Sequence, residues 1–260
     1  MASLPPAAGP CQAAGIGGST RLGDALDGAG SRRRSAGPAT RSPSESANKS
    51  GLNTVIFDLD GVLVDSEQAW DQARRDIVAE HGGEWKDSAT RDMLGMSSKE
   101  WPVYVVKQLG AQLTPDEVNA AVVEALLAGY RQHLPLLPGA REAVERLSER
   151  HTLGLASSSN RPVIDVVLET MEVTDRFAAT VSSEEVERGK PAPDVYLEAM
   201  RQLGITAGVA IEDSENGIKS AHAAGLRVIA IPNPHFPPAA DALALADEIL
   251  PNLDAVAIRT

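Results

Sequence analysis

The chain has 260 residues, 43% of them apolar, and a formal charge of −12 at pH 7. This length and apolar content suffice for one large or two small domains with a buried core. Because nucleic acids and anionic membranes attract clustered Lys and Arg, the negative charge argues against both as partners, and no apolar run reaches the roughly 18 residues of a membrane span.

Residues 1–50 are rich in Ala, Gly, Pro, Ser and Arg and have no apolar periodicity. Such a segment cannot bury enough surface to offset the entropy lost on ordering, so we expect a disordered tail. The arginine cluster at 32–34 could be an interaction patch, a targeting remnant or part of a bland tail, and we assign it no function. Cys11 is the one cysteine, which excludes an intramolecular disulfide and fits a reducing cytoplasm.

The first regular element is a buried strand over residues 54–57, followed at once by Asp58, Asp60 and Gly61. In parallel α/β sheets the carboxyl ends of the strands open onto the ligand crevice, so two carboxylates here would lie on the floor of a site and attract a cation. A calcium loop is excluded, because Val62 stands where that loop needs an oxygen ligand. For this pair taken alone, a solvated acidic turn remains an alternative.

The stretch from about residue 67 to 133 is predicted to be mostly helical. Thr114 and Glu117 form a capping box, and apolar residues then recur at helical spacing. Pro135 and Pro138 end this stretch. We predict a small helical bundle inserted after the first strand.

After a helix that begins at Ala140, short apolar runs alternate with helical segments. The runs compatible with buried strands cover residues 153–156, 179–181, 209–211 and 228–231. The helical segments between them cover about residues 161–172, 192–204 and 215–224. This alternation predicts an α/β fold with a Rossmann-like parallel sheet and helices on both faces. Residues 51–65 and 137–260 would form this core, and residues 66–136 an inserted α-helical cap.

Polar residues follow the other predicted strands. Ser157 and Ser158 follow one strand, Glu212 and Asp213 follow another, and Lys190 lies in a Gly-Lys-Pro loop just before a helix. Each cluster alone has an ordinary explanation as a helix cap, a turn or a loop. If the sheet brings them together, the carboxylates can hold Mg²⁺, which prefers oxygen ligands, while the lysine and a hydroxyl orient a phosphate.

In chain order these residues resemble the four motifs of the haloacid dehalogenase-like phosphohydrolase superfamily. The matching segments are Asp58-Leu-Asp60-Gly, Ser157, Gly189-Lys190-Pro191 and Glu212-Asp213-Ser214. The resemblance covers residues 53 to about 250. The helical insertion resembles the cap of the branch that contains β-phosphoglucomutase and 2-deoxyglucose-6-phosphate phosphatase.

The resemblance implies a metal site and a nucleophile. Asp58 would form an aspartyl-phosphate, and Asp60 would protonate the leaving alcohol and then activate water. Mg²⁺ would be held by Asp58, the backbone carbonyl of Asp60 and Asp213, with Glu212 in support. A carboxylate is a weak nucleophile towards a phosphate dianion, so this chemistry needs positive charge nearby.

The resemblance also implies how the phosphoryl group is held. Ser157, Ser158 and Lys190 would bind it. The dehalogenases of the superfamily lack the second aspartate, so Asp60 argues against that activity. Phosphonate hydrolysis would need a Schiff-base lysine in the cap, and Lys86, Lys99 and Lys107 are better explained as solvated.

The segment Ser66-Glu67-Gln-Ala-Trp70, at the start of the insertion, resembles the corresponding segment of the sugar and hexitol phosphate phosphatases. The resemblance implies that Glu67 and Trp70 bind the substrate. β-Phosphoglucomutase carries at the position of Trp70 a histidine that keeps the acid inactive until the sugar binds, so its replacement favours hydrolysis. Packing within the cap would explain Trp70 equally well. We predict an Mg²⁺-dependent phosphatase of small phosphorylated metabolites, namely sugar or polyol phosphates. A sugar phosphomutase and a non-catalytic binding protein are the alternatives.

The cap is expected to hinge near residues 64–66 and 135–139 and to exclude water on closing. The loop at residues 93–97 is predicted either to set specificity or to be a simple connector. None of the five histidines has a metal-ligand spacing. A monomer and a homodimer both fit the sequence.

Overall fold

The computed structural model describes residues 53–94 and 96–258. The predicted disordered tail and its arginine cluster lie outside these residues. Within them, no helix combines the length and the apolar character that a bilayer crossing requires.

The described residues contain six strands and nine α-helices in alternation, apart from one all-helical stretch. The strands β1 to β6 are Thr54–Phe57, Thr152–Ser157, Phe177–Ser182, Val209–Glu212, Arg227–Ala230 and Glu248–Ile249. The helices α1 to α4 are Glu67–Glu80, Ala89–Met93, Trp101–Leu109 and Pro115–Gln132. The helices α5 to α9 are Ala140–Ser148, Arg161–Thr170, Asp194–Leu203, Glu215–Ala223 and Ala240–Leu243. Because α1 to α4 all lie between β1 and β2, we call residues 67–132 the helical insertion.

The strands form one sheet in the order β3-β2-β1-β4-β5-β6, and every neighbouring pair is parallel. The predicted α/β class is confirmed, and the ends of the predicted strands and of the helices α6 to α8 lie within two residues of those observed. Strand β6 was not predicted, because Glu248 and Ile249 are too short a run to give a periodicity. The strand order reverses at β1, so the crevice at the carboxyl ends of β1, β2 and β4 is the expected ligand site.

Helices cover both faces of the sheet, as predicted. Val55 and Phe57 belong to the apolar cluster that includes α5 and α6, whereas Ile56 belongs to the cluster that includes α7 and α8. Successive side chains of a strand point to opposite faces, so β1 contributes to both layers. All three side chains are fully buried, and each contributes on the order of 2 kcal/mol by leaving water. Asp58 and Asp60 are thus attached to a strand that is held on both sides.

Helix α4, the longest of the helical insertion, begins at the predicted capping box. The hydroxyl of Thr114 accepts from the backbone N–H of Glu117, and the Glu117 carboxylate accepts from the backbone N–H of Thr114. Proline occupies the first helical position, where no N–H is needed. Val118, Val122 and Leu126 follow on its buried face.

Two chain segments connect the insertion with the sheet, and they are paired with each other. Val64 and Leu136 form an antiparallel bridge, and the N–H of Asp65 donates to the carbonyl of Pro135 at 2.8 Å. The N–H of Leu137 donates to the carbonyl of Leu63 at 3.0 Å. These are the segments predicted to act as a hinge. Their motion, and the cap boundaries at 66 and 136, stay predictions.

Candidate active site

A cavity of about 720 Å³ lies between the carboxyl edge of the sheet and the helical insertion. The sequence-predicted residues that line it are Asp58, Asp60, Glu67, Trp70, Ser158, Lys190 and Asp213. The parallel register explains the convergence, because Phe57 pairs with Leu155 of β2 and with Ile211 of β4. The residues that follow these strands therefore emerge side by side.

Lys190 joins the loop after β1 to the last residue of β4 through buried ion pairs. Its Nζ donates to Asp58 Oδ1 and to Glu212 Oε1, both at 2.7 Å. Tyr196 also donates its hydroxyl to Glu212 Oε1, at 2.6 Å. Burial alone lowers the pKa of the Lys190 ammonium, but the attraction of Asp58 and Glu212 outweighs it and the pKa is raised. Lys190 is therefore a fixed positive charge next to Asp58.

One lysine does not balance the carboxylates around it. Burial, followed by repulsion from Glu212, raises the pKa of Asp58 to about 8. Burial and then Glu212 also raise the pKa of Asp213 well above its usual range. A shared site with excess negative charge shifts pKa values in this direction unless a cation joins it.

The carboxylates have the geometry of a metal site. Asp58, Glu212 and Asp213 each place one oxygen within 4.8 Å of those of the other two. Asp213 Oδ1 is buried and has no hydrogen-bond partner in the described part of the chain. Gly61, at φ +77°, lets its loop approach closely, since a Cβ there would collide with the Asp213 carboxylate. Carboxylate oxygens suit a hard divalent cation, so these residues fit Mg²⁺.

Glu212 differs from the other two carboxylates because its oxygens are already bonded. Oε1 accepts from Lys190 and Tyr196, and Oε2 accepts from the N–H of Asp213 at 3.2 Å and the hydroxyl of Ser214 at 3.3 Å. It is fully buried. This arrangement suits the supporting role implied by the sequence better than direct coordination.

Asp60 is held from both walls of the cavity. Ser159 donates its hydroxyl to Asp60 Oδ2 at 2.6 Å, and Trp70 Nε1 of the insertion donates to Asp60 Oδ1 at 3.2 Å. Ser157 is fully buried and lies farther away, with its Oγ 3.5 Å from Asp60 Oδ2. The hydroxyl of Ser157 accepts from the N–H of Ser159 at 2.9 Å, and Ser158 is half-buried at the cavity. Ser159 was not among the predicted site residues, although it directly follows Ser157 and Ser158, which were.

The wall formed by the insertion consists mainly of aromatic and apolar side chains. The rings of Trp70 and Trp101 meet edge to face at 5.9 Å, and the guanidinium carbon of Arg74 lies 4.8 Å from the centroid of each. Trp70 therefore packs inside the insertion and also reaches Asp60. Glu67 is half-buried, and burial, followed by repulsion from Asp65, raises its pKa to about 7.

The loop predicted to set specificity also reaches the cavity. Met93, Leu94 and Met96 line it, while residue 95 lies outside the described part of the chain. Its role stays a prediction. Of the lysines of the insertion, Lys99 donates to the carbonyl of Val186 at 2.6 Å, on the outside of the cavity.

Comparison with known proteins places the fold and these residues in context. The sequence model of the family described as haloacid dehalogenase-like hydrolase matches residues 55–231. Hexitol phosphatase B of Escherichia coli K12 is 36% identical over 185 residues, which cover 69% of this chain and 83% of that protein. Protein CbbY of Rhodobacter capsulatus is 31% identical over 224 residues, which cover 79% of this chain and 96% of that protein. The crystal structure of CbbY from Rhodobacter sphaeroides in complex with phosphate matches with a TM-score of 0.71 at 25% identity, covering 78% of this chain and 96% of that one.

Proposed function

The chain belongs to the haloacid dehalogenase-like hydrolases, and from this premise we propose that it is an Mg²⁺-dependent phosphatase of sugar or polyol phosphates. The observation that carries the proposal is the buried set of Asp58, Lys190 and Asp213 at the carboxyl edge of the sheet. Relatives named hexitol phosphatase B and phosphorylated carbohydrates phosphatase support the substrate class. The enzyme is a phosphoric monoester hydrolase, and a cytoplasmic location, which its one cysteine favours, is part of the proposal.

Asp58 is the proposed nucleophile. Lys190 holds its Oδ1, which leaves Oδ2 to attack phosphorus and displace the alcohol, giving an aspartyl-phosphate. Asp58, Asp213 and the carbonyl of Asp60 would hold Mg²⁺, with Glu212 in support. When bound, Mg²⁺ supplies the positive charge that reduces repulsion between the carboxylate and the phosphate dianion.

Asp60 is the proposed acid and base. It donates a proton to the oxygen of the leaving alcohol, and then accepts a proton from the water that hydrolyses the aspartyl-phosphate. Ser159 and Trp70 hold its two oxygens, so the carboxyl group is oriented before the substrate arrives. Lys190, with Ser157 and Ser158 on the neighbouring loop, would neutralise and orient the phosphoryl group.

Trp70 bears on the choice between hydrolysis and phosphoryl transfer between sugar positions. An indole N–H can only donate a hydrogen bond and does not titrate, unlike a histidine at the same position. The hydrogen bond from Trp70 to Asp60 therefore does not depend on the protonation state of residue 70 when a sugar binds. This favours the phosphatase over the phosphomutase.

The test is phosphate release from a panel of phosphorylated sugars, polyols, nucleotides and glycolytic acids, with Mg²⁺ and with a chelator. Isomerisation of glucose phosphates is followed in the same samples. We expect chelator-sensitive release from sugar or polyol phosphates. Isomerisation without net release would identify a phosphomutase. Failure to hydrolyse any ester, including p-nitrophenyl phosphate, would leave a non-catalytic binding protein.

A further inference from the structure

Arg74 of helix α1 lines the cavity and forms no ion pair with a carboxylate of the described residues. Its Nε is buried and has no hydrogen-bond partner, and no carboxylate lies within ion-pair distance of its guanidinium among the described residues. Burial lowers its pKa to about 10, which still leaves it protonated at neutral pH. Asp60 and Asp71 attract this charge from beyond ion-pair distance, so the cavity contains a cation that no carboxylate of the described residues pairs with directly.

The next residue, Arg75, differs from Arg74 in having a carboxylate partner on the same helix. Arg75 pairs with Asp71 at 2.6 Å, and the other oxygen of Asp71 accepts from Thr90 at 2.5 Å. Both oxygens of Asp71, which lies one helical turn before Arg74, are thus bonded to other side chains. Burying an unpaired charge is costly, and stacking on Trp70 and Trp101 recovers only part of that cost.

The position of Arg74 relates it to the proposed chemistry. Trp70 presents its N–H edge to Asp60 and its ring face to Arg74. Asp60 is the group that would protonate the leaving alcohol, so Arg74 lies on the side of the cavity where the rest of the substrate extends. Arg91 also lines the cavity; it is exposed, has no ion pair in the described chain and adds positive charge to the same wall.

We propose that Arg74 is a specificity-determining residue that binds a second anionic group on the leaving-group part of the substrate. The preferred substrates are then sugar or polyol phosphates that also carry a second phosphate or a carboxylate. The planar guanidinium matches either group through paired hydrogen bonds, and the two indoles hold it in place before binding. Neutral hydroxyls would not require a half-buried cation at this position. This inference rests on the proposed function.

The kinetic test uses matched substrate pairs that differ in one charge-bearing group. Sorbitol phosphate is compared with phosphogluconate, which has a carboxylate in place of a terminal CH₂OH, and fructose monophosphate with fructose bisphosphate. In Arg74→Gln we expect kcat/KM for the doubly anionic member to fall about 10- to 100-fold, because a charge-assisted hydrogen bond is lost. The neutral member and p-nitrophenyl phosphate should change by no more than about two-fold. A larger loss of kcat/KM for phosphogluconate would identify the second group as a carboxylate, and a larger loss for fructose bisphosphate would identify it as a phosphate.

Arg131→Gln is the matched control, because Arg131 also lies on a helix of the insertion, α4, but is exposed, lies outside the cavity and forms no ion pair in the described part of the chain. It should leave all four substrates unchanged. Arg74→Lys keeps the charge without the paired geometry and should retain part of the preference, which provides a second variant if Arg74→Gln folds poorly. An equal loss on every ester would overturn the inference, because it would mean that Arg74 only positions Trp70 and Asp60.

A binding measurement separates this inference from the phosphatase proposal. Calorimetry with Asp58→Asn and Mg²⁺ needs no turnover, so it works even if no ester is hydrolysed. We expect fructose bisphosphate to bind at least about 10-fold more tightly than fructose monophosphate, and the difference to vanish when Arg74→Gln is added. Equal affinities in the presence of Arg74 would overturn the inference whatever the outcome for catalysis.

Discussion

The two walls of the cavity are built from different interactions. On the sheet edge, Asp58, Lys190, Glu212 and Tyr196 are buried and bonded to one another. On the helical insertion, Trp70, Trp101 and Arg74 are held by ring contacts, and Arg74 forms no ion pair among the described residues. The sheet edge is thus a bonded network with excess negative charge that suits a cation, whereas the insertion presents a cation that suits an anion.

The difference follows from how each wall is supported. The polar groups of the sheet edge are fixed by adjacent parallel strands, so a change at one of them disturbs the whole network. The groups of the insertion are held instead by packing between side chains of helices, since Trp70 and Trp101 are buried in the apolar cluster. We infer that the sheet edge carries the chemistry and the insertion selects the substrate, which agrees with sites in which loops and inserted elements vary on a constant scaffold.

The largest expected effect is at the sheet edge. Asp58→Asn should lower turnover of every ester by about 10⁴-fold or more, because an amide oxygen cannot act as the nucleophile. Phosphate release from p-nitrophenyl phosphate measures it, and Asp76→Asn on the exposed face of α1 is the control. The fold should persist, since the change removes a buried carboxylate whose pKa is raised to about 8. Activity within about ten-fold of the wild type would contradict both the nucleophile assignment and the division between the walls.

The next effect concerns the hydrogen bond from Trp70 of the insertion to Asp60. Trp70→Phe keeps a ring beside Trp101 and Arg74 but loses the hydrogen bond to Asp60, so kcat should fall about 5- to 10-fold for all esters. Trp85→Phe, an indole outside the cavity, is the control and should change nothing. Steady-state kinetics on p-nitrophenyl phosphate and sorbitol phosphate measure both variants. An unchanged kcat would mean that Ser159 alone orients Asp60 and that the two walls are independent.

The sheet edge could be predicted from sequence because its geometry follows from strand order. Acidic or polar residues directly after short apolar runs predict a site once the strands are parallel and adjacent, and Asp58, Asp60 and Asp213 are found together as expected. The motif spacing then indicated the family. Neither step needs the conformation of any side chain.

The residues that sequence reasoning missed depend on side-chain packing. Tyr196 lies on the buried face of α7, where periodicity indicates only a core position, yet its hydroxyl bonds Glu212. Arg74 lies on a helix in which charged residues are common, and its sequence neighbours do not reveal that Asp71 bonds Arg75 instead. For Trp70 the sequence left packing and substrate contact open. The bond to Asp60 became visible only with the fold.

A smaller effect is expected where the insertion touches the loop of Lys190. A Cβ at Gly189 would lie 2.6 Å from the Cβ of Ser97, so Gly189→Ala should push the loop at residues 96–98 away from the sheet edge. We expect KM for sorbitol phosphate to rise about three- to ten-fold with a smaller change in kcat, because the wall that selects the substrate is displaced more than the nucleophile.

Two variants distinguish this displacement from general damage. Ser97→Gly combined with Gly189→Ala removes the colliding atoms and should restore most of the lost affinity. Gly129→Ala meets no atom within 4 Å and lies inside α4, so it should leave KM unchanged and stabilise the helix slightly. If Gly189→Ala instead lowers kcat and leaves KM alone, the contact positions Lys190, and the division between the walls is less sharp than proposed.

The smallest expected effect tests whether the charge of Glu67, on the insertion, destabilises the fold before a ligand binds. The pKa of Glu67 is raised from 4.5 to about 7 by burial and then by repulsion from Asp65 and Asp60, while a hydrogen bond with Asn233 opposes the shift. An acid with a raised pKa binds more protons in the folded state, so its contribution to stability is lost as the pH rises from about 4.5 to about 7. Glu67→Gln cannot ionise and should be more stable than the wild type by about 1 kcal/mol at about pH 8, after allowing for solvent screening of a half-exposed group, and no more stable at about pH 4. Urea unfolding in chelator at both pH values measures this, with Glu80→Gln on the exposed face of α1 as the control. A difference that is equal at both pH values would mean that packing or the bond to Asn233, rather than repulsion between charges, accounts for the effect, and Glu67 would then not be a destabilising charge of the insertion.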